Sequence, residues 1–269
     1  MIKTECRNPK TTHIDKMDSL SIAKVINEEN MCSVQAIDSA LEQIAKAIDI
    51  VSDAFKNGGR LIYVGCGTSG RLAVADAAEC PPTFGVDHGL VSAIMAGGLD
   101  AVEKPTENVE DMTDAGKKDI TAKNLTPKDV VMGISAAGNA PYVYSAMETA
   151  KEAGCTTISL SSNEKAKIHS VADVPIWVDT GEEVITGSTR MKAGNSQKMV
   201  LNMISTGAMI KFGRVYENLM IYIKPTNIKL RQRMIEIVSQ ITGFDDAKCE
   251  EFLKECDWHI PNIIEKYDL

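Results

Sequence analysis

Apolar residues recur in two alternating patterns along most of this chain. Five short apolar runs, too brief for helices, are expected to be buried strands; they cover 61–64, 91–95, 130–134, 156–160 and 174–178. Apolar positions spaced by three and four residues predict helices at 33–55, 71–78, 141–153 and 192–212. Continuous apolar strands alternating with helices are typical of a parallel sheet covered on both faces. The pattern therefore predicts an α/β fold with a doubly wound, five-stranded parallel sheet.

The two ends of the chain carry helix patterns without strands. At the N-terminal end, Ser33 is a suitable capping residue for the first predicted helix. After Pro225, helical periodicity at 228–241 and 247–256 is separated by turn signals at Thr242-Gly243 and Pro261. We therefore expect three regions, which are an N-terminal helical segment at 1–57, a sheet domain at 58–224 and a small C-terminal helical domain at 225–269.

Composition and charge narrow the class of protein. The 269 residues are 44% hydrophobic and 25% charged, which is typical of a globular protein. A net charge of −8 and an aromatic content of 5% argue against a nucleic-acid-binding surface. The seven cysteines show no C-x-x-C spacing, and no apolar stretch is long enough for a signal core or a membrane helix. These features predict a reduced, cytoplasmic protein without a membrane segment, and the four scattered histidines predict no metal site.

Small and hydroxyl residues follow the first predicted strand, where a doubly wound sheet binds its ligands. The segment 65–71, G-C-G-T-S-G-R, has the G-x-G-x-x-G form of a dinucleotide site. That reading requires an acidic residue at the end of the next strand, where this chain has Ala96-Gly97-Gly98. Thr68 and Ser69, with exposed N–H groups at a helix start, suit a phosphomonoester instead. The alternative is a tight turn that one of these hydroxyls caps.

Glu79 lies two residues before Pro81, and Pro81 and Pro82 are expected to end the helix that begins near Arg71. A carboxyl group at the C-terminal end of a helix faces the negative end of the dipole, which favours its neutral form. A neutral carboxyl group can act as a general acid. The alternative is an exposed glutamate at a helix end without a chemical role.

Two further segments carry candidate chemistry. The stretch 101–111 is acidic and includes Glu110; without other information, a solvated surface explains it best. The stretch 183–194 places Ser188, Thr189 and Lys192 before a helix. An anion-binding corner would use these groups, although helix capping and surface cations explain them almost as well.

Four segments together resemble the N-acetylmuramic acid 6-phosphate etherase family of the sugar isomerase (SIS) superfamily. They are 65–71, 79–85 (E-C-P-P-T-F-G), 184–192 (V-I-T-G-S-T-R-M-K) and 201–209. The opening segment T-E-C-R-N-P at 4–9 is also similar to the start of the family. The helical tail resembles the small ubiquitin-associated-like bundle of these enzymes. The resemblance therefore runs nearly from end to end.

The resemblance implies a lyase that needs no metal or cofactor. Such enzymes cleave the D-lactyl ether of N-acetylmuramic acid 6-phosphate by elimination and readdition of water, and they yield N-acetylglucosamine 6-phosphate and D-lactate in the recycling of cell-wall sugars. Glu79 matches the glutamate that protonates the departing lactate, and Glu110 matches the second acid/base residue, to which we assign removal of the C2 proton. The residues expected to bind the phosphosugar are Gly67, Thr68, Ser69, Ser135, Gly138, Ser188, Thr189 and Lys192.

One loop departs from the family pattern. Where the etherases usually read A-A-S-G-R-T-P, residues 135–141 read S-A-A-G-N-A-P, which is closer to the glucokinase regulatory proteins. Those proteins bind sugar phosphates without converting them. A phosphosugar-sensing regulator and an aldose–ketose isomerase therefore stay open beside the etherase. The superfamily commonly builds its sites between subunits, which implies a homodimer with 33–55 and 192–212 near the contact.

Overall fold

The five apolar runs of the sequence form the strands of one parallel sheet. In the computed structural model, which describes residues 2–104, 106 and 108–267, the strands are β1 (Leu61–Gly65), β2 (Val91–Met95), β3 (Val130–Ile134), β4 (Thr156–Ser161) and β5 (Val174–Trp177). Their order is β2-β1-β3-β4-β5, and every neighbouring pair is parallel. The predicted strands are confirmed to within one residue at each end. Only β5, at the sheet edge, alternates between buried and exposed positions, because one of its faces is not covered.

Helices cover both faces of this sheet. The α-helices are α1 (Ser19–Ala36), α2 (Leu41–Lys56), α3 (Gly67–Phe84), α4 (Asp100–Glu103), α5 (Thr113–Thr121), α6 (Pro141–Glu152), α7 (Lys192–Lys211), α8 (Ile228–Thr242), α9 (Asp246–Glu255) and α10 (Ile260–Tyr267). Alternate residues of β1 point to opposite layers: Leu61 and Tyr63 pack into a core with α2, α3 and α7. Ile62 and Val64 pack into a second core with α5 and α6. The predicted doubly wound sheet is therefore confirmed.

The first helix begins much earlier than the periodicity predicts. Asp18 caps α1, because its side chain accepts a hydrogen bond from the backbone N–H of Ser21. Ser33, which we expected as a cap, lies fully buried inside α1. A short 3-10 turn at Ile37–Ala40 then separates α1 from α2. The single helix predicted at 33–55 is therefore wrong: it comprises the end of one helix and most of the next.

Helix α3 continues through the two prolines that were expected to end it. Neither Pro81 nor Pro82 has an N–H to donate, so two helical hydrogen bonds are lost there. Burial of Cys80 and Phe84 in the main core holds the last turn in place. The helix ends at Gly85, whose left-handed φ of 63° suits glycine. The predicted end near Glu79 is therefore wrong, since packing outweighs the local cost of the prolines.

The C-terminal helices share a core of their own. Residues of α8, α9 and α10 pack with Ile221 and Ile223, beside a short hairpin of β6 (Val215–Tyr216) and β7 (Leu219–Met220). Helices α8 and α9 lie where the sequence predicts them. Pro261, which we expected to mark a turn between helices, occupies the first turn of α10, where its missing N–H costs nothing. Among the described residues, no helix is long and apolar enough to cross a membrane.

Candidate active site

A cavity opens at the point where the order of the sheet reverses. The connections from β1 and β3 leave in opposite directions in a sheet of this order, so a crevice forms beyond their carboxyl ends. The cavity there has a volume of about 270 Å³, and we call it the switch-point pocket. Six of the predicted site residues line it: Gly67, Thr68, Ser69, Glu110, Ser135 and Thr189. The structure therefore brings together most of the groups that the sequence singled out.

The turn between β1 and α3 forms one side of the switch-point pocket. Two glycines allow β1 and the first turn of α3 to approach closely: a Cβ on Gly65 would lie 2.8 Å from the backbone nitrogen of Gly70. The side chain of Cys66, which precedes the helix, makes no capping hydrogen bond. The N–H groups of the first turn have no acceptor within their own helix. The turn therefore presents backbone donors and the positive end of a helix dipole, which together favour an anion.

The loop after β3 forms the facing side. Ser135 is buried, and its Oγ accepts a hydrogen bond of 3.1 Å from the backbone N–H of Gly138. Gly138 does not line the pocket but shapes this loop: its φ is 75°, and a Cβ there would lie 2.1 Å from the Cβ of Ala166. Because the Ser135 oxygen accepts in this arrangement, its hydroxyl hydrogen is available to a ligand.

Glu110 brings a carboxylate to the pocket from a 3-10 turn at Val109–Asp111. Val109 packs against the core beneath α6 and so anchors the turn, while the Glu110 side chain is exposed. Burial, and then the charges of Glu110 and Asp111, raise the pKa of the Cys66 thiol to about 12. Cys66 therefore stays protonated at neutral pH and does not supply a thiolate nucleophile here.

Glu5 is a second carboxylate in the pocket, and the sequence reasoning gave it no role. It lies at the end of a 3-10 turn at Lys3–Glu5. That turn is tied to the loop before α7, since the N–H of Gly187 donates to the carbonyl of Thr4 at 3.1 Å. The one available signal was its place in the opening segment that resembles the family.

Lys192 is not brought to the switch-point pocket. Its ammonium group donates to Glu29 Oε2 at 2.6 Å, and both side chains are 3% exposed. This pair lines a neighbouring cavity together with Lys10, which donates to the other oxygen of Glu29 at 2.8 Å. Of the adjoining predicted residues, Thr189 lines the switch-point pocket and Ser188 does not. The loop before α7 therefore contributes to two cavities, and Lys192 belongs to the other one.

Two buried carboxyl groups support this loop. Burial opposes ionisation of Glu29, but hydrogen bonds from Lys10 and Lys192 outweigh it and hold its pKa at about 2. Glu183 accepts hydrogen bonds from the N–H groups of Lys192 and Ala193 and so caps α7. Burial raises the pKa of Glu183 above its usual value despite these bonds.

Glu79 lines a different cavity. A groove of about 360 Å³ runs between α3 and α7, and we call it the α3–α7 groove; Glu79 lines it and is exposed. Glu79 follows Ser69 by ten residues of continuous helix, which corresponds to about 15 Å along the axis. It does not lie at a helix end, so the expected effect of the helix dipole does not apply to it.

A buried polar network forms the floor of this groove. The carboxylate of Asp76 accepts hydrogen bonds from Tyr63 Oη at 2.9 Å, Asn202 Nδ2 at 2.6 Å and Ser205 Oγ at 3.1 Å. Burial, and then the charge of Asp76, raise the pKa of Tyr63 well above its usual value, so Tyr63 stays a donor. The network joins β1, α3 and α7 and fixes the helix that carries Glu79.

A third cavity adjoins both of these. It shares Thr68 with the switch-point pocket, and it shares Leu72 and Lys198 with the α3–α7 groove. Glu110 and Glu79 therefore line separate cavities, the first beside the first turn of α3 and the second farther along the same helix. Within the described part of the chain, no cluster of three or more histidine, cysteine, aspartate or glutamate residues is placed to hold a metal ion.

Comparison with known proteins identifies the class first. A SIS domain model matches residues 100–206, and a model of the glucokinase regulatory protein N-terminal SIS domain matches residues 43–151. Among solved structures, a phosphoheptose isomerase from Francisella tularensis is similar with a TM-score of 0.52 and 19% identity, covering 73% of this chain and 100% of its own. The Vibrio vulnificus NanR protein complexed with ManNAc-6P has a TM-score of 0.53 and 13% identity, covering 84% of this chain and 71% of its own. The fold is that of a SIS protein.

Sequence comparison then identifies the family. The N-acetylmuramic acid 6-phosphate etherase of Salmonella typhi is 46% identical over 261 residues, which covers 97% of this chain and 88% of that protein. The etherase of Salmonella typhimurium strain LT2 matches to the same extent. The chain belongs to the N-acetylmuramic acid 6-phosphate etherase family, and the expected resemblance is confirmed.

Proposed function

We propose that this protein cleaves the D-lactyl ether of N-acetylmuramic acid 6-phosphate and releases N-acetylglucosamine 6-phosphate and D-lactate. The observation that carries this function is the 46% identity to etherases across 97% of the chain. The switch-point pocket supports it, because helix N–H groups, hydroxyls and two carboxylates meet there at a position where doubly wound sheets bind ligands.

The reaction requires a base and an acid at neighbouring carbon atoms. In the open aldehyde form of the sugar, the C2 proton can be removed because the carbanion delocalises into the C1 carbonyl. The C3–oxygen bond then breaks, and the lactyl oxygen takes a proton as D-lactate leaves. Water adds to C3 of the unsaturated aldehyde, and C2 regains a proton. The overall change is hydrolysis of the ether without a change of oxidation state.

We assign the base to Glu110 and the proton donor to Glu79. Thr68, Ser69 and Ser135 would hold the phosphate, together with the N–H groups of the first turn of α3. Among the described residues that line the switch-point pocket there is no lysine or arginine. The phosphate dianion would therefore be balanced by the helix dipole and by hydrogen bonds rather than by an ion pair.

Within one chain these two carboxyl groups line different cavities. Glu79 lines the α3–α7 groove and Glu110 lines the switch-point pocket, and the rise of α3 between Ser69 and Glu79 is about 15 Å. We therefore propose a homodimer in which the α3–α7 groove of one subunit covers the switch-point pocket of its partner. Val34, which is 48% exposed and lines the cavity that adjoins the groove, is an apolar side chain suitable for such a contact, and Leu41 in the next helix is 44% exposed.

The direct test of the function is an assay for D-lactate. Purified protein is incubated with N-acetylmuramic acid 6-phosphate, and D-lactate is measured with a D-lactate dehydrogenase; Glu110→Gln serves as the control. We expect stoichiometric formation of D-lactate and N-acetylglucosamine 6-phosphate. Interconversion of aldose and ketose phosphates without release of lactate would show that the protein is an isomerase and not an etherase.

A phosphosugar-sensing regulator is the second candidate. The match of residues 43–151 to the glucokinase regulatory protein model and the S-A-A-G-N-A-P sequence at 135–141 favour it. Tight binding of the substrate in calorimetry with no release of D-lactate would establish the regulator and exclude the etherase.

We further propose a cytoplasmic role in recycling cell-wall sugars and three structural regions at 1–57, 58–224 and 225–269. The cysteines are free thiols, which fits a reducing compartment. The separate core of the C-terminal helices supports the third region, although that core also includes Ile221 and Ile223. Met1 and residues 268–269 lie outside the described residues.

A further inference from the structure

Ser69 lines the switch-point pocket, but its hydroxyl hydrogen is used in a hydrogen bond to a neighbouring side chain. Its hydroxyl group donates a hydrogen bond of 2.9 Å to Oε1 of Gln197, which reaches it from α7. Both side chains are buried, with 7% exposure for Ser69 and 2% for Gln197. A serine hydroxyl has a single hydrogen. While Gln197 accepts that hydrogen, Ser69 has none to donate to a phosphate.

The other end of the same amide has no partner. Among the described residues, nothing forms a hydrogen bond with the buried Nε2 of Gln197. A buried N–H group without an acceptor is costly, whereas a carbonyl oxygen without a donor is tolerated more often. A half-turn of the amide about its terminal carbon–carbon bond exchanges the two atoms and leaves all others in place. Nε2 would then donate to Ser69 Oγ, and the orphaned donor would be satisfied.

We propose that Gln197 is a positioning residue that aims the Ser69 hydroxyl at the phosphate of the substrate. With the amide in this turned orientation, Gln197 donates to Ser69, and Ser69 donates to the phosphate that occupies the switch-point pocket. The donor chain strengthens the terminal hydrogen bond, because each bond polarises the next. This inference rests on the proposed placement of the phosphate beside Ser69.

Three substitutions test the proposal by their effect on binding of N-acetylglucosamine 6-phosphate, measured by titration calorimetry. Ser69→Ala removes the donor and should weaken binding roughly tenfold to a hundredfold. At a pH high enough to ionise its buried carboxyl group, Gln197→Glu supplies a side chain that only accepts, so it holds the Ser69 hydrogen away from the pocket and should weaken binding to a similar extent. Gln197→Met removes both roles but leaves the Ser69 hydroxyl free to turn, so binding should weaken less than about fivefold.

The double variants separate positioning from a simple charge effect. If Gln197 acts through Ser69, Gln197→Glu should weaken binding less than about threefold further once Ser69 is alanine. An equal loss in both backgrounds would mean that the new carboxylate repels phosphate directly, and the proposal would be wrong. In the etherase assay the loss should fall mainly on KM, because the positioning concerns binding rather than the bonds that react.

Two further outcomes distinguish failure of this inference from failure of its premise. If Ser69→Ala weakens binding but Gln197→Glu does not, the phosphate site stands and Gln197 has no positioning role. If Ser69→Ala leaves binding unchanged, the phosphate does not lie beside Ser69, and both the proposed phosphate site and the role of Gln197 are wrong. If Gln197→Glu fails to fold, Gln197→Met provides the test. Its small loss of affinity for N-acetylglucosamine 6-phosphate should disappear once Ser69 is alanine. A loss of affinity that persists in that background would overturn the proposal.

Discussion

The switch-point pocket and the α3–α7 groove differ in how much of a site one chain supplies. The pocket is closed on two sides by the turn at 65–70 and the loop at 135–138, and a third segment brings Glu110 to it. The groove lies between two helices, and its candidate acid, Glu79, is exposed. The switch-point pocket is determined by the topology of the sheet. The α3–α7 groove becomes part of a site only if another surface covers it.

This difference explains why two carboxyl groups with linked roles lie apart. Parallel strands direct their carboxyl ends to one edge, so groups that follow different strands meet without further help. A residue in the middle of a long helix has no such constraint and reaches a site only if another surface approaches it. We therefore regard the groove as one half of a site that a second subunit completes.

The largest effect should come from the two carboxyl groups themselves. Glu110→Gln and Glu79→Gln should each lower kcat by about 10²–10⁴-fold, the usual contribution of a general acid or base. The matched control is Glu103→Gln, which lies in the same acidic stretch as Glu110 but outside the pocket, and it should keep normal turnover. Near-normal lactate release by either active-site variant would contradict its assigned role.

Solvent exchange should separate the two roles. In heavy water the unmodified enzyme should place deuterium at C2 of the product, because the abstracted proton is replaced. Glu79→Gln should still exchange the C2 proton of intact substrate slowly, although the ether does not break, whereas Glu110→Gln should not. Mass spectra that show normal exchange in Glu110→Gln would mean that another group is the base.

A smaller effect is expected within the pocket. Ser135→Ala should raise KM roughly tenfold to a hundredfold, because it removes a charge-assisted hydrogen bond to phosphate. Ser188→Ala is the matched control: it lies near the pocket without lining it, and its KM should change less than about threefold. If the two variants behave alike, the phosphate is held by the loop before α7.

The smallest effect on turnover should come from Lys192. Lys192→Met should lower the free energy of unfolding by about 3 kcal/mol, because the buried carboxylate of Glu29 loses its buried cation and keeps only Asn8 and the exposed Lys10 as partners. Lys10→Met, which removes the exposed partner of the same carboxylate, should cost less than about 1 kcal/mol. Urea unfolding measures both. A large rise in KM for Lys192→Met without loss of stability would instead place the phosphate there.

The stabilisation from Glu29 should also depend on pH with a definite sign. Its pKa is about 2 in the folded protein against the usual 4.5 of a glutamate side chain, so pairing stabilises the fold fully above about pH 4.5. As the pH falls towards 2 this contribution is lost. The difference in stability between the unmodified protein and Lys192→Met should therefore narrow across that range, and a difference that widens would contradict the pairing.

Local patterns predicted the sheet well because strands of this kind are short, continuous and bounded by turn residues. All five were located to within one residue, and the strand ends correctly pointed to Ser69 and Ser135 as pocket residues. Periodicity could not show where α1 begins, because Asp18 precedes a helix whose apolar stripe is weak. Nor could it show that α3 passes through two prolines, since burial of Cys80 and Phe84 is a tertiary effect.

Long-range contacts decided the rest of the site. Nothing local distinguishes Lys192, which pairs with a glutamate 163 positions earlier, from a surface lysine. Glu5 reaches the pocket because its turn is tied to Gly187, and that contact has no signature in the sequence. Glu79 and Glu110 line different cavities because α3 is long. The sequence predicts that this helix ends near Glu79, and so it does not predict the separation.

A mixed dimer provides the most direct test of the claim that two subunits complete one site. Glu79→Gln and Glu110→Gln chains, each with a different affinity tag, are co-expressed, and the mixed dimer is isolated on both tags in turn. Each mixed dimer then carries one site with both glutamates and one with neither, so about half of the normal D-lactate release should return. Release that stays at the level of the single variants, or full activity from a protein that light scattering shows to be monomeric, would mean that both glutamates act within one chain.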